Sequence, residues 1–228
     1  MNSFILFAVC LLGITYQVNC QDCLSGIQNA CRPNINKQSV SALVPTCDAR
    51  YGAIDHLEHE LVSYAGSHII KSFEYLLLST HFANYDMNRP GFHKLFRDYS
   101  DSKWSDGIEL IKHITKRGGK MNFQPAQSSS PEDRNGYQLH EIQSLAKALD
   151  LEKSLMTDAF KIHERAVRRT DSSHDPEISH YIEEEFVEKQ ADNIRKLSGH
   201  ITELSQMLAE SDDNALSLYL FDDYLKGL

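Results

Sequence analysis

At 228 residues the chain suits one domain with a sizeable core, and 41% hydrophobic against 24% charged residues marks it as globular rather than disordered. Its 23 basic and 32 acidic side chains leave a formal net charge of -9, which argues against nucleic acid as the main partner because phosphate binding needs a basic face.

The N-terminus reads as a targeting segment. Phe4 to Ile14 is an uncharged apolar run, and Val18-Asn19-Cys20 is a usable small-residue cleavage site, so residues 1–20 read as a signal peptide. The rival, a membrane anchor, needs an apolar run of about 20 residues, longer than this one. No later stretch reads as a membrane span. Cleavage leaves Cys23, Cys31 and Cys47 in an irregular extension over residues 21–50, with Pro33 and Pro45 as breakers. In an oxidising compartment three cysteines suggest one internal disulfide and one thiol left for a partner chain, or one disulfide and one buried free thiol.

From residue 51 to 228 the apolar period is helical. The first long helix is expected over about Ala53–Phe82, on the stripe Leu57, Leu61, Tyr64, His68, Ser72, Tyr75, Ser79, Phe82. A short turn at residues 84–90 makes the next helix, about Pro90–Lys116, its antiparallel neighbour; Pro90 suits a first helical turn. Its stripe is Phe92, Phe96, Tyr99, Lys103, Asp106, Leu110, His113, and Arg117-Gly118-Gly119 ends it. Residues 120–137, with Pro125 and Pro131, form one long connection able to cross the length of a bundle. A third helix is expected over about Gln138–Arg169, on Ile142, Leu145, Leu149, Glu152, Met156, Ala159, His163, Ala166. Asp175-Pro176-Glu177 is an N-cap, then Pro, then an acid in the first turn, and starts a fourth helix running to about Leu208. Its stripe is Ile182, Phe186, Gln190, Ile194, Leu197, Ile201, Leu204, Leu208. A short helix, Ala215–Leu225, closes the chain; with Leu216, Leu218, Leu220 and Phe221 it is too apolar to stand alone and is expected to pack on neighbouring subunits. The fold class is all-α: two hairpins of long helices joined by one crossover, with a short fifth helix.

Polar side chains on core-facing positions carry the chemistry. His68, Tyr75, Lys103, Asp106, Glu152 and Gln190 each lie near the middle of their helix, so a bundle brings them together. Lys103 and Glu152 are the natural ion pair, with Asp106 and His68 closing the network, since isolated buried charges are costly. The metal-site reading rests on carboxylates and imidazole projecting from facing helices, which is how bundles hold di-iron centres. The spacing that suits metal is Glu-x-x-His, whereas here it reads Lys103-x-x-Asp106, and an ammonium has no lone pair to give. Both readings stand: an ion pair where a metal site would be, or a residual metal site on His68, Tyr75, Asp106, Glu152 and Gln190.

In order and spacing, Ser72-Phe73-Glu74-Tyr75-Leu76-Leu77-Leu78-Ser79 resembles the first long helix of ferritins, Arg117-Gly118-Gly119 the turn after their second, Leu149-Asp150-Leu151-Glu152-Lys153 their third, Glu188-Lys189-Gln190-Ala191 their fourth, and Leu218-Tyr219-Leu220-Phe221-Asp222 the start of their fifth. The resemblance covers residues 53–225 and implies the ferritin-like bundle. The heavy-type centre of that family has glutamate at the positions of His68 and Lys103 and histidine at Asp106; Tyr75, Glu152 and Gln190 match it. The resemblance therefore implies a light-type, non-ferroxidase subunit of a twenty-four-subunit cage. Its cargo would be iron held as a shared ferric mineral, and its partner a heavy-type ferritin chain, disulfide-linked through the N-terminal cysteines. It implies location in the secretory pathway, in Golgi-type compartments and secreted, as in insect secretory ferritins. It further places His180 and Glu183 at the threefold pore, and Asp98 and Asp101 on the inner surface. Two other functions stay open: a ferroxidase with an altered di-iron site, and a secreted monomeric bundle acting as a carrier.

Overall fold

The structure is a computed structural model that describes residues 48–122, 139–168 and 174–228. Arg50–Leu228 form one compact unit. Residues 1–20, expected to be a signal peptide, Cys23, Cys31 and Cys47, and most of the long connection lie outside the described residues.

Among the described residues there are four long helices and one short one. They are α1 (Ile54–Ala83), α2 (Pro90–Lys116), α3 (Glu141–Val167), α4 (Pro176–Glu210) and α5 (Asn214–Gly227). The α1–α2 turn is closed by Asn84, whose Oδ1 accepts from the amides of Asp86 at 2.9 Å and Met87 at 2.8 Å. Asn88 takes a left-handed φ of 46°, which asparagine tolerates, and Pro90 opens α2. At the other end of α2, Gly118 adopts φ 77° and bonds back to Thr115, while Gly119 bonds back to Ile114. This paired closure needs the left-handed residue that glycine supplies. Asp175 caps α4 as its sequence suggests, accepting from the amides of Glu177 and Ile178 at 3.2 Å each.

The core falls into two apolar clusters. One holds Leu57, Leu61, Leu110, Ile114, Leu155, Ile162, Ile178 and Ile182, and the other Leu78, Phe82, Phe92, Phe96, Leu145, Leu197 and Leu204. Along the chain α1 and α4 pass from the first cluster to the second, and α2 and α3 from the second to the first. So α1 and α2 are antiparallel, α3 and α4 are antiparallel, and the α2–α3 connection must run the length of the bundle. This is the expected two-hairpin topology with one crossover.

Two features differ from the sequence reading. In α3 the buried face runs through Leu145, Ala148, Leu151, Leu155, Ala159, Ile162 and Ala166, whereas Ile142, Leu149, Met156 and His163 are only half-buried. Strict three-four alternation put the stripe slightly to one side of the true face. In α4 one turn, Glu183–Val187, is π-helical, which no local sequence signal announces.

The fifth helix docks on its own chain through one face. Phe221 and Leu225 join the second cluster, and Asp222 Oδ1 accepts from the amides of Gly91 at 2.8 Å and Phe92 at 3.0 Å. Asp222 thereby caps α2, whose preceding residue Arg89 offers no side-chain cap. A side chain at Gly91 would place Cβ 2.0 Å from the Asp222 carbonyl oxygen, so glycine is required there. Leu216, Tyr219 and Leu220 stay exposed on the opposite face.

Candidate functional site, a buried polar layer

Between the two apolar clusters lies a layer of polar side chains, one or two from each long helix. Lys103 and Glu152 are both buried, and Lys103 Nζ lies 2.9 Å from Glu152 Oε2. Tyr75 donates to Glu152 Oε1 at 2.7 Å, and Asn193 Nδ2 donates to Oε2 at 3.1 Å. With its amide nitrogen turned toward Glu152, Gln190 donates to Oε2 and accepts from Lys103 at 3.2 Å. Both oxygens of the Glu152 carboxylate are therefore satisfied, and its charge is matched by an ammonium at contact distance. A buried charge pair is tolerable only when arranged this way.

His68 does not close the network. It is fully buried, but both ring nitrogens lack a hydrogen-bond partner. Its ring packs edge-on against Tyr64 at 4.6 Å and Phe186 at 5.2 Å. Burial, and next the positive charge of Lys103, push the imidazole down to about 3, so it is neutral and cannot pair ionically. Asp106 sits at the edge of the layer, its Oδ2 3.9 Å from both His68 Nδ1 and Lys103 Nζ, beyond direct hydrogen bonding. Burial pushes the Asp106 carboxyl up, against the pull of Lys103.

The six predicted positions thus share one layer, but only Tyr75, Lys103, Glu152 and Gln190 are bonded to one another. Among the described residues no group of three or more His, Cys, Asp and Glu side chains is placed to hold a metal ion. Asn193 was missed; it stands three residues after Gln190, on the same helical face, and that spacing was the available signal.

Residues 66–207 match the Ferritin-like domain family. The chain is 41% identical to the ferritin light chain of Trichoplusia ni over 232 residues, covering 99% of both chains. It is also 41% identical to the ferritin light chain of Drosophila melanogaster over 231 residues, again covering 99% of each. The crystal structure of Trichoplusia ni secreted ferritin superposes with a TM-score of 0.79 at 40% identity, covering 90% of this chain and 98% of that one. The chain belongs to the ferritin family.

The other predicted positions of this ferritin chain lie on its surface. His180 is exposed and pairs with Glu184 at 3.2 Å; Glu183 is exposed, with His163 Nε2 3.7 Å away. Asp101 pairs with Arg97 at 3.0 Å, while Asp98 faces a groove and, among the described residues, makes no ion pair. Among the described residues no helix is long and apolar enough to cross a membrane.

A second polar hub escaped the sequence reading. Arg117 is fully buried; it bonds Asp175 at 2.7 Å, the carbonyl of Tyr51 at 2.8 Å, and Glu177, and its guanidinium lies 4.0 Å over the Tyr51 ring. His113 reaches Glu177 at 2.9 Å and stacks on Tyr181 at 3.8 Å. Asp175 also accepts from the amide of Ala53 at 2.9 Å. One arginine thus ties the start of α1, the end of α2 and the start of α4 together. Burial pushes the Asp175 carboxyl up, but Arg117 and the amides of Ala53 and Ile178 outweigh it and hold the carboxyl below its ordinary value.

Proposed function

We propose that this chain is a light-type, structural subunit of a secreted iron-storage ferritin cage, and that ferrous oxidation is left to a heavy-type partner chain. The observation that carries this reading is the Lys103 ammonium, buried 2.9 Å from Glu152 in the middle of the bundle. A cation there repels a second cation and uses the carboxylate that a di-iron centre would need. His68 and Asp106 do not restore the site: one is a neutral imidazole between aromatic rings, the other a single carboxylate at the margin.

On this reading the chain builds and stabilises a shell of twenty-four subunits, and iron is cargo held as ferric mineral in the shared cavity. Its place is the secretory pathway, including Golgi-type compartments, and the extracellular fluid. One of Cys23, Cys31 and Cys47 links it to the heavy-type chain. His180 and Glu183 line the threefold pore, and Asp98 and Asp101 face the inner surface, where they supply fewer acids than a dedicated nucleating cluster.

The test is to prepare the mature chain alone and together with a heavy-type ferritin chain, then measure particle size and ferrous oxidation. The proposal expects cage-sized, partly disulfide-linked particles with fast oxidation only in the mixture. Particles of monomer size under both conditions would instead favour a carrier bundle.

A further inference from the structure

The residues that lead into α1 are tied to distant parts of the bundle. Arg50 donates to Asp55 at 2.6 Å and to Glu58 at 2.5 Å on α1, and to the carbonyl of Gly118 at 2.9 Å past the end of α2. Glu58 in turn accepts from the amide of Lys120 at 2.6 Å. The Tyr51 carbonyl accepts from Arg117 at 2.8 Å, and the Tyr51 ring lies against the same guanidinium. Gly52 takes a left-handed φ of 63°, and a Cβ there would stand 2.4 Å from Asp175 Oδ2, so glycine is required. The amide of Ala53 donates to that same oxygen at 2.9 Å.

Starting a helix needs fewer ties than these. The first amides of α1 are served by Asp175, which takes Ala53, and by the bonds of His56 and Leu57 back to the Ala53 carbonyl. The bonds from Arg50 to Gly118 and from Lys120 to Glu58 cap nothing in α1; they fasten the incoming chain to the end of α2. Arginine suits this task, because its planar fork reaches three acceptors in fixed directions and a lysine ammonium does not. Tyr51 keeps 59% of its surface exposed beside this anchor, and tyrosine is a residue that partner surfaces favour.

Cys23, Cys31 and Cys47 all precede Arg50, and Cys47 precedes it by three residues, a length of chain that spans at most about 11 Å. A covalent link from any of them to a neighbouring chain therefore reaches the bundle through residues 50–53. We propose that residues 50–53 anchor the cysteine-bearing extension, with Arg50 as the positioning residue. A disulfide-linked heavy-type chain then docks at the end of the bundle where α1 starts, α2 ends and α4 starts. The proposal rests on the reading that an N-terminal cysteine links this chain to its partner. Forming the link oxidises two thiols, and a dissolved disulfide such as oxidised glutathione takes up their two electrons and two protons and becomes two thiols. A firm anchor keeps the thiol concentrated near its target, whereas a loose or longer tether dilutes it.

The test follows interchain disulfide formation between the full mature chain and a heavy-type ferritin chain in a glutathione buffer, by non-reducing electrophoresis. Arg50→Met, and separately a short Gly-Ser insertion between Asp48 and Ala49, should each slow linkage by about threefold or more. Particle size under reducing conditions should stay unchanged in both, since neither alters the bundle core. With the insertion already present, Arg50→Met should have little further effect, because the tether is already loose. A merely structural role for Arg50 would slow linkage equally in both backgrounds, and that result would overturn the proposal. Linkage at the unmodified rate in either single variant would overturn it too. Absence of any interchain disulfide in the unmodified chain would instead remove the underlying reading, and the proposal with it.

Discussion

Lys103 Nζ and Glu152 Oε2 stand 2.9 Å apart with both side chains buried, and Tyr75, Gln190 and Asn193 complete the shell around the carboxylate. Removing one charge strands the other in the core. Lys103→Met or Glu152→Gln alone should destabilise the bundle by about 3–5 kcal/mol. The double variant Lys103→Met with Glu152→Gln should lose less than the sum of the two by roughly 1 kcal/mol or more. Denaturant unfolding of the three variants checks this, and strictly additive losses would contradict the pairing.

His68 supplies a pH dependence whose sign is fixed by burial. Its folded-state pKa lies at about 3 against an ordinary 6.5, so between these values the unfolded chain binds a proton that the folded chain refuses. Its contribution is complete above pH 6.5 and is lost as pH falls toward 3, at about 1.4 kcal/mol per pH unit. His68→Phe, which keeps a ring between Tyr64 and Phe186, should flatten the stability profile in that window. A profile unchanged from wild type would show that the imidazole does titrate in the fold.

The Arg117 hub loses stability on acidification too, but in a lower pH window and through a carboxylate. Asp175 is held below its ordinary 3.8, so its contribution is present above that value and disappears as pH falls through the lower folded value. Arg117→Met should cost about 3 kcal/mol near neutrality, because it leaves Asp175 buried and unpaired. The same variant should be less sensitive to further acidification below pH 4, since the paired carboxylate is no longer there to be lost. Thermal midpoints across pH 2–7 separate this effect from that of His68.

Capping of α2 by α5 gives a local readout. Asp222→Ala should cost about 1 kcal/mol, the usual worth of an N-cap. It should also speed exchange at the amides of Gly91 and Phe92, which now donate to Asp222 Oδ1 at 2.8 and 3.0 Å. Gly91→Ala should undock α5 more completely, since its Cβ meets the Asp222 backbone. Unchanged exchange in both variants would mean that the cap does not hold the helix.

The sequence made the helices legible because the caps and the polar interruptions were local. Pro90, Gly118 and Asp175 mark their helix ends through backbone chemistry that needs no partner. The polar layer was legible for the same reason: Lys103, Glu152 and Gln190 interrupt apolar stripes at mid-helix. What escaped depends on distant elements. Arg117 reads as a loop residue until Tyr51, Asp175 and Glu177 surround it, and Asp222 reads as a surface acid until α5 folds onto α2. His68 was placed in the network by its spacing alone. Tyr64 and Phe186 stand on the stripes that periodicity gives, but that their rings pack on the His68 imidazole depends on how α1 and α4 meet. The N-terminal cysteines lie outside the described residues, and their pairing stays an expectation.

The proposed light-type function rests on the Lys103 ammonium standing beside Glu152 where a metal would need a further ligand. The most direct test is the initial rate of ferrous oxidation by particles of this chain alone, compared with those of Lys103→Glu combined with Asp106→His. The unmodified chain should oxidise iron no faster than iron in buffer, and the double variant should gain ferrous binding or oxidation. Fast oxidation by the unmodified chain would contradict the light-type reading and make the chain a ferroxidase with an altered centre.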